Sequence, residues 1–129
     1  MYSVEADTEK RLIVITAVDG VTAAEVKEAA NRARELTRDF PPGFQALTDF
    51  RFLESMEPAA AHHIAAIMDD FASKKVARVL RVMPDPRKDI GLNILSTIHY
   101  NPDVEIATYE TMAEAVAALL RDPPFDGAE

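Results

Sequence analysis

The order of its secondary-structure signals constrains this chain more than any other feature. Runs rich in β-branched residues alternate with amphipathic helical runs, after an opening pair of strands separated only by a polar turn. The predicted order is therefore ββαβαβαβα. Strands joined by crossover helices pair in parallel, whereas two strands joined by a short turn are antiparallel. The sequence thus predicts an α/β fold with a mixed five-stranded sheet and four helices.

Turn and cap residues set the predicted boundaries. The expected strands cover 2–6, 11–18, 45–49, 76–82 and 104–108. The expected helices begin near Thr22, Pro58, Asp85 and Thr111, and they end near Arg38, Ser73, Tyr100 and Asp122. Thr22 with Glu25, and Thr111 with Glu114, have the spacing of a capping box. One domain is expected over 1–122, followed by a disordered tail over 123–129.

The charge balance disfavours several classes of partner. Acidic residues number 22 against 14 Lys and Arg, which gives a formal net charge of -8. Phosphates repel such a surface, so no nucleic-acid partner is predicted.

The chain has no Cys, which excludes disulfides, thiolate catalysis and Cys-ligated zinc. Charged residues precede the first apolar run, the wrong order for a signal peptide, so a cytoplasmic location is predicted.

The sequence carries no recognised catalytic or cofactor motif. Glycine-rich phosphate loops, a nucleophile elbow and a Ser-x-x-Lys pattern are all absent. His62 and His63 are adjacent, so on a helix they point about 100° apart instead of toward one metal ion. His99 falls in the last turn of a predicted helix, where a cation interacts favourably with the helix dipole. We therefore expect neither an enzyme nor a metal site, and no cofactor.

Apolar side chains cluster in segment 50–57, which is expected to be a loop after the third strand. They are Phe50, Phe52, Leu53 and Met56. Ligands of open α/β sheets bind where strands reach their carboxyl ends, and exposed apolar patches mark interaction sites. Two interpretations stay open: these side chains cap the core, or they form a surface for a protein partner or an apolar small molecule. The surface is also compatible with a homodimer; membrane association is compatible with it but is not predicted.

Basic residues concentrate between 74 and 88, where six of them accompany one acidic residue, Asp85. Four of the six form a candidate anion-binding patch: Arg78, Arg81, Arg87 and Lys88. Such a patch would hold an anionic group or an acidic partner. The alternative is a set of solvated charges that flank a strand and pair with nearby acids.

The element order and two local segments resemble the STAS domains of the anti-sigma-factor antagonist family, in particular its SpoIIAA-like group. Segment 18–22 (VDGVT) is similar to the family's transition from strand to helix, and segment 104–119 is similar to its closing strand and helix. The resemblance covers about 2–121. It implies a STAS fold and a non-catalytic regulatory module that binds a protein partner.

One departure from this family concerns its phosphoacceptor. Regulatory members carry a Ser or Thr at the start of the helix after the third strand, and its phosphorylation switches partner binding. Here that position falls on Pro58 or Ala59, and Ser55 lies out of register. The resemblance therefore implies a divergent member without the phosphoacceptor.

A rival function comes from a second likeness, since SpoIIAA-like domains are similar in fold to CRAL-TRIO-type lipid carriers. It implies a carrier or sensor of an apolar or lipid-like ligand at segment 50–57. In the third helix Ile90, Ile94, Leu95 and Ile98 share one face, and Leu92 lies off it. A helix with surplus apolar surface could move outward as a lid.

Overall fold

A computed structural model describes residues 1–121 of the chain, and in this part a single sheet carries four α-helices. The strands are β1 Tyr2–Asp7, β2 Leu12–Val21, β3 Gln45–Met56, β4 Arg78–Val82 and β5 Glu105–Tyr109. The helices are α1 Ala23–Leu36, α2 Ala61–Ser73, α3 Ile90–His99 and α4 Met112–Leu119. Short 3₁₀ turns at Pro58–Ala60 and Pro86–Lys88 precede α2 and α3. The expected tail over 123–129 lies outside the described residues.

The sheet has the order β1-β2-β3-β4-β5, in which each strand neighbours the next one along the chain. β1 is antiparallel to β2, and the remaining pairs are parallel. The predicted α/β class, the element order and the mixed five-stranded sheet are therefore confirmed. No helix within residues 1–121 is long and apolar enough to cross a membrane.

Helices cover both faces of the sheet. On one face Ile13, Phe44 and Phe71 belong to a core cluster that includes side chains of α1 and α2. On the other face Leu80 packs with Ala115 of α4. All five residues of β4 are buried, as expected for a parallel strand covered on both sides.

Local signals explain why α1 begins where it does. The Thr22 hydroxyl accepts a hydrogen bond from the Glu25 N–H at 3.1 Å, and the Glu25 carboxylate accepts one from the Thr22 N–H at 3.0 Å. This reciprocal pair is the predicted capping box. The buried side of α1 consists of small residues, Val26, Ala29, Ala30 and Ala33, which let the helix lie close to the sheet.

The predicted ends of the second and third strands are wrong. β2 continues through Asp19 and Gly20 to Val21, and β3 continues to Met56. The pairing between these two strands shifts register twice, between Thr16 and Val18 and between Asp19 and Gly20. Asp19 has φ +60°, a left-handed conformation that Asp adopts more readily than most residues. The irregular pairing accommodates Asp19 and Gly20 within β2, so β2 does not end there. It continues to pair with β3, and 50–56 is therefore strand and not loop.

Candidate functional site

The four apolar residues predicted to form a surface differ in exposure. They lie on the outer half of β3, residues 50–56, which extends beyond the end of β4. Phe50 is buried, Leu53 and Met56 are half-buried, and Phe52 is 59% exposed. The interpretation as a core cap therefore describes Phe50, Leu53 and Met56, which pack in one apolar cluster. Phe52 remains a surface residue.

The outer half of β3 has a strand neighbour on one side only. β4 pairs with β3 up to Asp49, and beyond that point β2 is the pairing strand. Lys88 donates from Nζ to the Leu53 carbonyl at 3.1 Å. This contact brings the residues before α3 against the open side of the outer half.

Arg51 organises the surface around Phe52. Its Nε and Nη2 donate to the two oxygens of Asp49 at 3.0 and 2.9 Å. Burial raises the pKa of the Asp49 carboxyl, but hydrogen bonds from the Arg51 side chain and backbone outweigh it, so the pKa lies below its usual value. The guanidinium carbon also lies 5.1 Å from the centroid of the Phe52 ring, within range of a cation–π interaction.

An apolar cavity of about 70 Å³ lies between the sheet and the helices. Phe50 and Met56 line it from β3, and Leu92 lines it from α3. Arg81 and Tyr100 also reach its wall, and burial raises the pKa of the Tyr100 hydroxyl. An apolar cavity of about 150 Å³ suffices for benzene, so this cavity is smaller than that ligand requires.

Arg81 is the centre of a buried polar network. From β4 it donates Nε to Asp89 at 3.0 Å, Nη1 to Ser96 at 2.9 Å and Nη2 to Asn93 at 2.8 Å. The other Asp89 oxygen accepts from the Asn93 amide at 3.0 Å and from the Thr108 hydroxyl at 2.7 Å. The network therefore ties β4, the start of α3 and β5 together through one neutralised ion pair.

Arg78 is also held by protein partners, on the opposite face of the sheet. Its Nε lies 3.1 Å from Glu105, and its Nη1 donates to Gln45 at 2.9 Å and to the Ala118 carbonyl of α4 at 2.8 Å. Both arginines are almost fully buried, because β4 is covered on both sides. The prediction of an exposed anion patch is therefore wrong for Arg78 and Arg81.

Arg87 and Lys88 are exposed, unlike the two arginines of β4. Arg87 donates from Nε and Nη2 to the two oxygens of Asp85, both at 3.1 Å. These bonds hold the pKa of the Asp85 carboxyl below its usual value. For Arg87 and Lys88, anion binding stays a prediction.

Sequence reasoning missed the polar partners of Arg81, although one signal for them existed. The strand over 76–82 is apolar in sequence except for two arginines, and a buried guanidinium requires a buried acceptor. Asp89 is near in sequence, but its orientation depends on how α3 begins. The expected helix start at Asp85 is instead a 3₁₀ turn, and α3 begins at Ile90.

The isoleucines of α3 face solvent. Ile90, Ile94 and Ile98 are 61%, 57% and 68% exposed, while Leu92 lines the cavity. Leu92, predicted to lie off the apolar face, lines the cavity, and Leu95 of the predicted face is half-buried against the core. Asn93 and Ser96 accept hydrogen bonds from Arg81, which leaves the isoleucine stripe outside.

The three histidines contact neighbouring side chains and do not form a metal site. The rings of His62 and His63 are 3.9 Å apart, and partial burial, followed by the charges of His62 and Lys27, lowers the pKa of His63. His99 Nδ1 lies 2.7 Å from Asp69 and connects the end of α3 to α2. Within residues 1–121, no group of three or more His, Asp or Glu side chains could hold a metal ion.

The start of the helix after β3 carries no hydroxyl group. Pro58–Ala60 form the 3₁₀ turn, and α2 begins at Ala61. Ser55 is exposed, but it lies on the outer half of β3. The structure therefore places no Ser or Thr where a phosphate would meet the amino end of this helix.

Comparison with known proteins identifies the fold but not the family. No protein-family model matches the sequence, and no curated protein matches it. Among solved structures, the unphosphorylated anti-sigma factor antagonist SpoIIAA aligns with a TM-score of 0.66 at 12% identity, over 92% of this chain and 97% of that chain. A DUF3478 protein from Shewanella loihica PV-4 with a SpoIIAA-like fold aligns with a TM-score of 0.69 at 16% identity, over 92% of both chains. An anti-sigma factor antagonist from Mycobacterium paratuberculosis aligns with a TM-score of 0.60 at 16% identity, over 94% of this chain and 96% of that chain.

Proposed function

We propose that this SpoIIAA-like domain is a non-catalytic regulatory module that binds a protein partner through an exposed apolar surface. The surface, called here the Phe52–isoleucine surface, consists of Phe52, Ile90, Ile94 and Ile98. Two of the structurally similar proteins are named as anti-sigma factor antagonists, which supports a regulatory role. The observation that carries the proposal is the solvent-facing stripe of isoleucines along α3.

The arrangement of these side chains distinguishes them from ordinary exposed hydrophobics. Single exposed apolar residues are normal on a protein surface. The three isoleucines, however, recur every fourth residue on one side of α3, which makes a stripe about 12 Å long. Full burial of such a side chain contributes about 1.5–3 kcal/mol. A partner that covered the stripe and Phe52 would therefore gain several such contributions.

The proposed module differs from phosphorylation-switched relatives in how it is controlled. The start of α2 is Pro58, Ala59 and Ala60, so a kinase has no acceptor there. A hydroxyl is needed to add a phosphate at this helix end. We therefore propose that its partner is released by competition for the Phe52–isoleucine surface and not by phosphorylation beside α2.

Charge placed on this surface should prevent partner binding. We expect Phe52→Asp combined with Ile94→Asp to reduce capture of the partner at least tenfold, because both side chains are exposed and a carboxylate cannot be buried without a partner. Circular dichroism should show an unchanged fold. The measurement is quantitative affinity capture with the tagged domain from cells that express it.

A matched control is available on the other side of the sheet. Val116, in the last turn of α4, and Leu120, just beyond it, are also exposed apolar residues, so Val116→Asp with Leu120→Asp makes the same chemical change elsewhere. This variant should retain the partner. Equal loss from both double variants, or from neither, would contradict the proposed surface.

A second candidate function is a carrier or sensor of a small apolar ligand, and the cavity beneath α3 favours it. The lining is almost wholly apolar, with Arg81 and Tyr100 at its wall. The volume of about 70 Å³ is too small for a lipid chain, so such a ligand would require α3 to move. That motion would break the Arg81–Asp89 pair and the His99–Asp69 contact.

Native mass spectrometry separates the two candidates. We expect the purified protein to carry no hydrophobic adduct, because the cavity is about half the volume that holds benzene. Ala17→Leu provides the control, since Ala17 lines the cavity and a larger side chain would fill it. An adduct on the original protein that disappeared in Ala17→Leu would establish the carrier instead.

A further inference from the structure

A second, larger cavity lies at the opposite end of the sheet from the outer half of β3. Its volume is about 280 Å³. The three connections that lead into β3, β4 and β5 surround it, with Pro42 in the first, Val76 in the second and Val104 in the third. Backbone hydrogen bonds hold these connections together, including Gly43 N–H to the Lys75 carbonyl at 2.8 Å. The cavity is therefore a feature of the sheet end and not of one loop.

Three polar residues line this cavity, and their side chains lack an internal partner. Lys75, Asn101 and Asp103 are solvent-exposed, and within residues 1–121 they form neither a side-chain hydrogen bond nor an ion pair. The preceding residue shows the contrast: Lys74 Nζ donates to the Arg34 carbonyl, to the Thr37 hydroxyl and to Asp70, at 2.9, 3.0 and 2.9 Å. The rim of the cavity thus carries an ammonium, a carboxylate and an amide that are solvent-exposed and available to a ligand.

The backbone at Lys75 favours glycine. Its N–H donates to the Ala72 carbonyl and the Val76 N–H donates to the Phe71 carbonyl, both at 3.1 Å. These two bonds close α2 with a Schellman motif, in which the residue at this position adopts positive φ and is usually glycine. Lys75 has φ +65°, which is unfavourable for a residue with a Cβ. The chain therefore places a charged side chain beside the cavity at a position that disfavours any side chain.

We propose that this cavity binds a zwitterionic small molecule with an apolar side chain, the chemistry of an α-amino acid such as leucine. Lys75 would pair with the ligand carboxylate, Asp103 with its ammonium group, and Asn101 would hydrogen-bond either. Val76 and Val104 would contact the apolar side chain. The volume exceeds the roughly 150 Å³ that accommodates benzene, so a leucine side chain fits. This site is independent of the Phe52–isoleucine surface.

Titration of the full-length ¹⁵N-labelled protein with L-leucine tests the site. The amide resonances of Val76, Ala77 and Val104 should shift in a saturable manner. Lys75→Gly should weaken binding at least tenfold while raising the melting temperature, since glycine suits the backbone at this position. Asp103→Asn should weaken binding similarly with no loss of fold, and Lys27→Ala on α1 should leave it unchanged.

Two ligand analogues separate the charges. Leucinamide lacks the carboxylate and N-acetyl-leucine lacks the ammonium group, so each should bind at least tenfold more weakly than leucine. An absence of shifts up to the solubility limit of leucine would overturn the proposal. Shifts that mapped to other residues, or binding unaffected by both Lys75→Gly and Asp103→Asn, would overturn it as well. None of these results would bear on partner capture by the Phe52–isoleucine surface.

Discussion

Replacement of Asp89 by alanine should lower the free energy of unfolding by about 3–5 kcal/mol. Asp89 is the carboxylate that neutralises Arg81, and both side chains are almost fully buried. Its removal would leave a guanidinium without a counterion in the interior, and would also deprive Asn93 and Thr108 of their shared acceptor. Urea denaturation followed by circular dichroism measures the effect directly.

Two further variants show whether the lost free energy comes from the unpaired charge. Glu35→Ala removes one member of the exposed pair with Arg38, and it should change stability by about 1 kcal/mol or less. Arg81→Met combined with Asp89→Leu removes both buried charges, and it should recover most of the lost stability. A loss below about 1 kcal/mol for Asp89→Ala would contradict the role assigned to the network.

This network shows how far sequence reasoning reaches in this chain. Element order was predictable because its signals are local: Thr22 and Glu25 cap α1 within one turn, and the five β-rich runs stand out in the sequence. The partner of Arg81 was not predictable, because it depends on a contact between β4 and the start of α3. β4 is mostly apolar in sequence, but the acceptor that makes its buried arginine tolerable lies in another element.

The orientation of α3 follows from the same contact. An amphipathic pattern alone places the isoleucines against the core, because apolar faces are normally buried. Asn93 and Ser96 bind Arg81 from the opposite side of the helix, and turning that side outward would leave the buried guanidinium without these partners, which is strongly unfavourable. The polar requirement therefore decides which face is outside, and it creates the surface that the proposed function uses.

The outer half of β3 was mispredicted for a different reason. Asp19-Gly20 is a strong turn signal, and it suggested that β2 ended there. β2 instead passes through an irregularity at Asp19 and provides pairing partners for Phe52 and Leu53. Local sequence does not reveal such pairing, because the partner strand is distant along the chain. Phe50 and Phe52 would share one face of a regular strand. The register shift between Thr16 and Val18, opposite these residues, breaks that alternation, so Phe50 is buried and Phe52 is exposed.

The two phenylalanines of this segment give the most direct test of that assignment. Phe50→Ala should lower the free energy of unfolding by about 3–5 kcal/mol, because Phe50 is buried and lines the cavity beneath α3. Truncation of the Phe50 side chain would enlarge that cavity. Phe52→Ala should lower the free energy of unfolding by only about 0.5–1 kcal/mol. This is the range of an exposed cation–π interaction such as that with Arg51.

Urea denaturation of the two variants, made and measured in parallel, compares the same chemical change two residues apart on one strand. If both rings were exposed, the two variants would show similar, small losses of stability. Similar losses would therefore contradict the burial of Phe50. A large difference would place Phe50 in the core and leave Phe52 as the side chain available to a partner, which is the condition on which the Phe52–isoleucine surface depends.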